Sequence, residues 1–287
     1  MNQPELCIFL VMDTKYSYYL PLFLHFLEIS YPEYGAMLAI KGHLPTEVFE
    51  QLKYFNNSNY YIQGNSFEGY PNDPDTIKSL RWTSYFPQFD KYKYIFIGDV
   101  DIWIVPEMPT LIQHHRTICD FNHTCYSNTD RIDPPETRGN RMTGLHFFKR
   151  EEYLDIMYPI MQKYDKMLKK GLRIPKFFNK QLNKIDNQHI LWEMIKESGL
   201  PMPMHSNFSC HGLHLGHSRC EGRWKTLFRT SSLHRNWFRI ISSSFLNTRF
   251  KRFYQQAPKE IKNEIHILME EGVNNVYQFD SRSLIQE

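Results

Sequence analysis

Long hydrophobic runs are missing from this 287-residue chain: no stretch approaches the ~18 uninterrupted apolar residues of a membrane-spanning helix. The first apolar run, Cys7 to Met12, is stopped by Asp13 and Lys15, and the residues before it carry no basic leader of a secretion signal. We therefore expect a cytoplasmic protein, soluble or held peripherally at the inner face of a membrane.

Cysteine is also scarce, and its five positions form no regular pattern. The cysteines are Cys7, Cys119, Cys125, Cys210 and Cys220. An odd number at irregular spacing in a long chain argues against a disulfide framework and favours a reducing compartment. The net charge of +3 is too small to indicate binding to nucleic acid, so we expect no nucleic-acid partner. Hydrophobic residues at 41% and charged residues at 23% are typical of a globular protein.

Strand-like and helix-like segments alternate over the first hundred residues. The predicted strands are Cys7 to Met12, Gly35 to Lys41, Tyr60 to Gln63 and Tyr92 to Ile97, and the predicted helices are Leu20 to Ile29, Pro45 to Phe55 and Ile77 to Phe86. This alternation predicts an α/β fold with a mostly parallel sheet flanked by helices. Ligands of such sheets bind beyond the carboxyl ends of the strands, where Asp13, Asp99 and Asp101 fall.

The second half is less regular. The segment from Cys119 to Arg141 is polar and rich in turn residues, so it is predicted to be a long, functional loop. A short strand is expected at Leu145 to Phe148, with helices at Arg150 to Lys170 and Ile190 to Ser198.

Two carboxylates separated by one residue follow the clearest strand, in the order Asp99-Val100-Asp101. Both can turn toward a divalent cation such as Mn²⁺ or Mg²⁺, which keeps open positions for phosphate oxygens and offsets charge on a departing diphosphate. The same spacing also arises by chance in solvated turns. A haloacid-dehalogenase-type phosphatase would place the pair on its first strand. A polymerase-β-like nucleotidyltransferase would need a Gly-Ser pair upstream. Neither of these two patterns fits the sequence here.

A family resemblance rests on two segments. They are Leu80-Arg81-Trp82 with Phe86 to Asp101, and Val11 to Tyr16 with Leu20-Pro21-Leu22. Both resemble the glycogenin-like glycosyltransferases, which include bacterial galactosyl- and glucosyltransferases of lipopolysaccharide synthesis. The resemblance implies a GT-A fold, which is a Rossmann-like mixed, mostly parallel sheet flanked by helices. It also implies that the donor is a UDP-sugar. Asp13 and Tyr16 would contact the nucleotide, Arg81 the sugar or diphosphate, and Asp99 and Asp101 the metal. From the residues alone, Tyr16 could equally pack in the core and Arg81 lie on a helix surface.

Later motifs of that family are only partly matched. Met142-Thr143-Gly144 stands where the family has Asn-x-Gly, and Asn187-Gln188 stands where it has Asp-Gln, with Asp186 one residue early. By the resemblance, Asp186 and Gln188 join Arg81 at the reaction centre. The alternative is that Asp186 only caps a helix. These departures leave open whether the anomeric configuration is retained.

Three histidines and two cysteines crowd into Cys210 to Cys220. One histidine could complete the metal site; we favour His214, with His217 second. A structural zinc site is another interpretation, although the spacing does not match usual zinc patterns. Ordinary packing of these histidines is the third.

From Gly222 to Gln256 the chain has no acidic residue. Eight basic residues occur there (Arg223, Lys225, Arg229, Arg235, Arg239, Arg249, Lys251 and Arg252), interleaved with aromatic ones. The pattern predicts a basic helical C-terminal appendage, residues 222–287, after a catalytic domain, residues 1–221. It suits either an anionic membrane surface or an amphipathic cap whose aromatic side chains pack on the catalytic domain, and RNA binding is a weaker third option.

Together these observations predict a metal-dependent hexosyltransferase that uses a UDP-sugar. The acceptor would be a glycan or lipid-linked saccharide in surface polysaccharide or lipopolysaccharide synthesis. The alternatives are a catalytically weak nucleotide- or glycan-binding module and a metal-dependent phosphohydrolase.

Overall fold

The computed structural model describes residues 4–128, 130–132, 140–171, 187–203, 212–216 and 232–270. The strands are β1 (Leu6–Asp13), β2 (Gly35–Lys41), β3 (Tyr60–Gln63), β4 (Tyr94–Ile97), β5 (Ile102–Trp103), β6 (Tyr126–Ser127), β7 (Asp130–Ile132), β8 (Asn140–Met142), β9 (His146–Lys149) and β10 (Leu213–His214). The helices are α1 (Leu20–Ser30), α2 (Thr46–Leu52), α3 (Pro74–Thr83), α4 (Leu111–Phe121), α5 (Arg150–Lys169), α6 (Asn187–Ser198), α7 (Ser232–Ser244) and α8 (Thr248–Gln256), and residues 259–270 are also helical.

A six-stranded sheet in the order β3-β2-β1-β4-β9-β6 organises the molecule. Strands β1 to β4 run parallel to one another, and β9 runs antiparallel to both β4 and β6. Strand β1 lies inside the sheet and is buried along most of its length, as expected for a parallel strand covered on both faces. The predicted mixed α/β fold with a mostly parallel, helix-flanked sheet is confirmed.

Two apolar layers cover the sheet. Alternate side chains of β1 point to opposite faces: Leu6, Ile8 and Leu10 pack in the layer that contains α1 and α4, whereas Cys7 and Phe9 pack in the layer that contains α3, α5 and α6. Both layers therefore require the continuous apolar sequence of β1. The strand ends at Asp13, at the carboxyl end of the parallel strands.

The prediction that the Cys119 to Arg141 segment is one long loop is wrong. Helix α4 runs into this segment as far as Phe121, β6 joins the main sheet, and β7 pairs with β8. Helix α4 begins at a capping box in which Thr110 and Gln113 each satisfy the other's backbone N–H. The helix predicted over Ile77 to Phe86 also begins earlier and ends earlier: Asp73 caps it by accepting from the Thr76 N–H, and Ser84 is extended.

The C-terminal helices pack their aromatic side chains on the sheet domain. Phe250 and Phe253 are buried, and the ring of Phe250 lies 5.5 Å from that of Phe26 in α1. Arg249 forms a salt bridge with Glu28 of α1, and Arg252 bonds the hydroxyl of Tyr54. This packing is that of an amphipathic cap. The predicted boundary at residue 222 lies outside the described residues.

None of the described helices has the length and apolar character needed to cross a membrane.

Candidate active site

The two aspartates after β4 differ in exposure and in the side chain that each one contacts. The N–H of Gly98 still donates to the carbonyl of Phe9 in β1, after which the chain turns, with the Ile102 N–H donating to the Asp99 carbonyl at 3.1 Å. The Asp99 side chain is 39% exposed. Asp101 is buried at 6% exposure. The turn thus places two carboxylates at the carboxyl end of a parallel strand, each with its own partner.

Arg81 is the partner of Asp99. Its side chain is almost fully buried, and its Nη1 donates to Asp99 Oδ1 at 2.5 Å while its Nη2 donates to Asn187 Oδ1 at 2.9 Å. The guanidinium also lies over the ring of Trp82, at 4.4 Å from its centroid. Arg81 is therefore a buried cation fixed from three sides, and its interpretation as a surface helix residue is wrong.

Gly144 brings a third element against this pair. A Cβ on Gly144 would lie 3.2 Å from Arg81 Nη2, 3.4 Å from Asp99 Oδ2 and 3.4 Å from Gln188 Nε2. Gln188 in turn accepts from Arg141 Nη1 at 2.5 Å. Three of the predicted residues, Arg81, Asp99 and Gln188, therefore converge around one glycine. Asp186, predicted beside Gln188, lies outside the described residues.

The chain before Gly144 is held by the asparagine that follows β6. Asn128 Oδ1 accepts from both the N–H and the hydroxyl of Thr143, at 3.0 and 2.7 Å. His146, buried beside it, contacts Asn128 through Nδ1 and the Tyr153 hydroxyl through Nε2, at 3.1 and 2.9 Å. Burial lowers the pKa of His146 to about 3, so this histidine is neutral and structural.

His214 lies beside the second aspartate. Strand β10 pairs with β5, so His214 stands opposite Ile102, and the Leu215 N–H donates to the Asp101 carbonyl at 2.8 Å. His214 Nε2 is 3.5 Å from Asp101 Oδ2. His217 lies outside the described residues.

The predicted metal ligands are only partly brought together. Asp101 and His214 form a carboxylate and imidazole pair of the kind that binds Mn²⁺, but Asp99 is engaged by Arg81. Within the described part of the chain, no three His, Cys, Asp or Glu side chains cluster closely enough to hold a metal ion. The residues present thus fit part of a metal site.

A half-buried glutamate anchors the segment that carries His214. Glu107 Oε1 accepts from the Gly212 N–H at 2.7 Å, and Glu107 also interacts with Trp237 of α7. Gly212 has φ +95°, and a Cβ there would come within 2.4 Å of the Trp103 carbonyl oxygen, so only glycine fits. Burial raises the pKa of Glu107 to about 7.

A cavity of about 440 Å³ opens at the carboxyl ends of β1 and β2, lined by Asp13, Thr14, Lys15 and Lys41 among others. Asp13 Oδ1 accepts from the Tyr16 N–H at 2.8 Å and so starts the following turn. The ring of Tyr16 stacks on Tyr19, with 5.8 Å between centroids. Asp13 therefore lines the cavity, whereas Tyr16 has a packing partner in Tyr19.

Several polar residues of the site were not predicted: Lys41, Glu107, Asn128, Arg141 and, as a partner of Arg81, Asn187. Lys41 follows the same rule as Asp13, since it ends a parallel strand, and that signal could have found it. Its Nζ donates to the carbonyls of Phe67 and Tyr70, at 3.2 and 2.7 Å, and burial lowers its pKa. The contacts of Glu107 and Asn128 join distant positions, and no local pattern announces them.

No protein-family model and no curated protein matches the chain. Similar solved structures include TarS from S. aureus, with 10% identity and a TM-score of 0.41 over 95% of this chain and 81% of that one. Others are core-mannan synthase A from Aspergillus fumigatus in a Mn/GDP form (10%, TM-score 0.42, 70% of this chain and 71% of that one) and an active-site mutant of LgtC (10%, TM-score 0.40, 90% and 99%). Likeness at this level does not identify the chemistry of this chain.

Proposed function

We propose that the chain is a glycosyltransferase that moves a hexosyl group from a UDP-sugar to a glycan or lipid-linked saccharide. The observation that carries the proposal is the convergence of Arg81, Asp99 and Gln188 around Gly144 at the carboxyl end of β4. Strand β4 is the sheet neighbour of β1, whose end lines the 440 Å³ cavity. A donor whose nucleoside occupied that cavity would extend its diphosphate toward the converging residues.

Each residue of the site has a proposed role. Asp13 would bind the nucleoside, and the buried guanidinium of Arg81, pre-oriented by Asp99 and Asn187, would offset negative charge on the diphosphate leaving group. Gln188, held by Arg141, would face the reacting sugar. A divalent cation held by Asp101 and His214, with Asp99 as the third predicted ligand, would supply Lewis-acid assistance to the same leaving group.

Calorimetric titration of UDP, with and without Mn²⁺, tests this proposal. We expect Mn²⁺-dependent binding by wild type that is lost in Asp101→Asn and retained in Asp155→Asn, which changes an exposed carboxylate of α5. UDP release from UDP-glucose or UDP-galactose, measured on the same proteins, separates an enzyme from a binding module.

Binding of UDP without release of UDP from any hexose donor, with neutral glycans supplied as acceptors, would favour the binding module. Absence of binding for UDP and for the other nucleoside diphosphates at every Mn²⁺ concentration would overturn the transferase proposal and leave the resemblance as one of fold.

A further inference from the structure

A second cleft, distinct from the cavity at the strand ends, opens between the segment after β3, the end of α3 and one face of α5. Its volume is about 430 Å³. Five aromatic side chains line it: Phe67, Tyr70, Tyr85, Phe86 and Tyr158. The volume lies within the range of small-molecule pockets, roughly 300–1,000 Å³. The dense aromatic lining indicates which class of ligand such a pocket would bind.

Most of these rings are fixed before any ligand arrives. The Tyr70 hydroxyl donates to Asp165 Oδ1 at 2.7 Å, and the Tyr85 hydroxyl donates to Asp90 Oδ1 at 2.7 Å. Phe86 makes edge-to-face contacts with Phe67 at 6.4 Å and with other rings of the core. A ligand that packed on these rings would therefore cost little side-chain conformational entropy, because the rings are already held in place.

The α5 wall of the cleft combines an exposed ring with polar groups. Tyr158 is 40% exposed, and its ring meets that of Tyr85 edge to face at 5.5 Å. Gln162, Asp165 and Lys166 follow it at helical spacing and line the same cleft. Together they offer an amide, a carboxylate and an ammonium group, which can both accept and donate hydrogen bonds.

A hexose matches this combination. Its ring has an apolar C–H face that packs on an aromatic face, and its rim of hydroxyls needs both donors and acceptors. Among the described residues that line the cleft, the charged side chains are Asp165 and Lys166, so the lining itself carries no net charge. The lining thus favours a neutral, hydroxyl-rich ligand.

We propose that this cleft binds a neutral, hexose-based glycan. Phe67 lines both the cleft and the cavity at the ends of β1 and β2, so a glycan held here lies next to that cavity. Its identity as part of the acceptor chain rests on the proposed function; the binding itself does not.

Native electrophoresis in gels that contain glycogen, mannan, dextran or galactan tests the proposal. We expect at least one of these neutral polymers to retard the wild-type protein. Tyr158→Ala and Gln162→Ala should both lose most of this retardation. Ile156→Ala is the matched control, because Ile156 is 43% exposed on the same helix and does not line the cleft. Thermal melting of each variant verifies that it folds.

The outcomes separate this cleft from the donor site. Retardation that persists in excess UDP and Mn²⁺ and in Asp101→Asn, but not in Tyr158→Ala, supports the cleft even if UDP binding fails. Retardation lost in Asp101→Asn or with UDP and kept in Tyr158→Ala would assign the glycan to the donor site and overturn the inference. No retardation of the wild type by any of the four polymers would overturn it as well.

Discussion

Gly144 is the residue at which the charged pair leaves little room for a side chain. Its hydrogen faces Arg81 Nη2, Asp99 Oδ2 and Gln188 Nε2, all within 3.4 Å of where a Cβ would stand. At such distances the neighbours must give by a few tenths of an ångström, and Arg81 cannot move freely because Asp99 and Asn187 both hold it. A single methyl group therefore acts on the geometry of the charged pair.

Gly144→Ala should weaken Mn²⁺-dependent UDP binding or UDP release by about tenfold, which corresponds to about 1.4 kcal/mol, with little change in the free energy of unfolding. Gly64→Ala is the control, since its nearest neighbours would be 3.6 Å away, an ordinary contact. Calorimetry and urea unfolding on both variants measure the two effects. Equal UDP binding and equal UDP release by Gly144→Ala and wild type would show that the geometry around Gly144 does not matter for the donor.

At the scale of elements, the strands and helices that a local sequence pattern determines could be predicted. Strands β1, β2 and β3 agree with prediction to within a residue. For β1 and β2 the reason is that continuous apolar runs bounded by turn residues mark buried parallel strands. Helix α4 was missed although Thr110 and Gln113 form a recognisable capping box. The two-residue strands β5, β6 and β10 could not be predicted, since pairing with distant residues defines them. For the same reason the sequence indicated Arg81, Asp99 and Gln188 separately, by resemblance, while their convergence on Gly144 is a tertiary fact.

Glu107, which follows β5 and accepts a hydrogen bond from Gly212 in the His214 segment, should make the stability of the protein depend on pH. Burial raises the pKa of Glu107 from 4.5 to about 7, so the folded state holds this proton more tightly than the unfolded chain does. The resulting stabilisation is fully present below pH 4.5 and is lost as the pH rises through 7. Glu107→Gln removes this titration. The decrease in unfolding free energy between pH 5 and pH 8 should therefore be smaller than in wild type, by on the order of 2 kcal/mol.

Urea unfolding at several pH values measures this difference. Glu47→Gln, which changes an exposed carboxylate in the first turn of α2, should keep the wild-type pH dependence. Identical pH profiles for Glu107→Gln and wild type would mean that the Glu107 carboxyl titrates alike in the folded and unfolded chains.

For the molecule as a whole, the decisive contact is between the C-terminal helices and the start of the chain. Phe250 is fully buried, and its ring lies 5.1 Å from His25 and 5.5 Å from Phe26 in α1, and 6.3 Å from Trp103 in β5. Strand β5 follows directly on the Asp99 to Asp101 turn. The C-terminal helices thus pack against β5, the strand that follows the proposed site. Loss of this packing should therefore destabilise the whole fold.

Phe250→Ala should lower the free energy of unfolding by about 3–5 kcal/mol, the cost of emptying a buried aromatic position. Leu246→Ala, at a position 81% exposed just before α8, should change it by less than about 0.5 kcal/mol. Tryptophan fluorescence and far-UV circular dichroism, followed together in urea, should report one coincident transition in both variants, because the cap and the sheet share one apolar layer. An early separate transition in Phe250→Ala, with the main transition unchanged, would instead show that the C-terminal helices unfold as an independent unit.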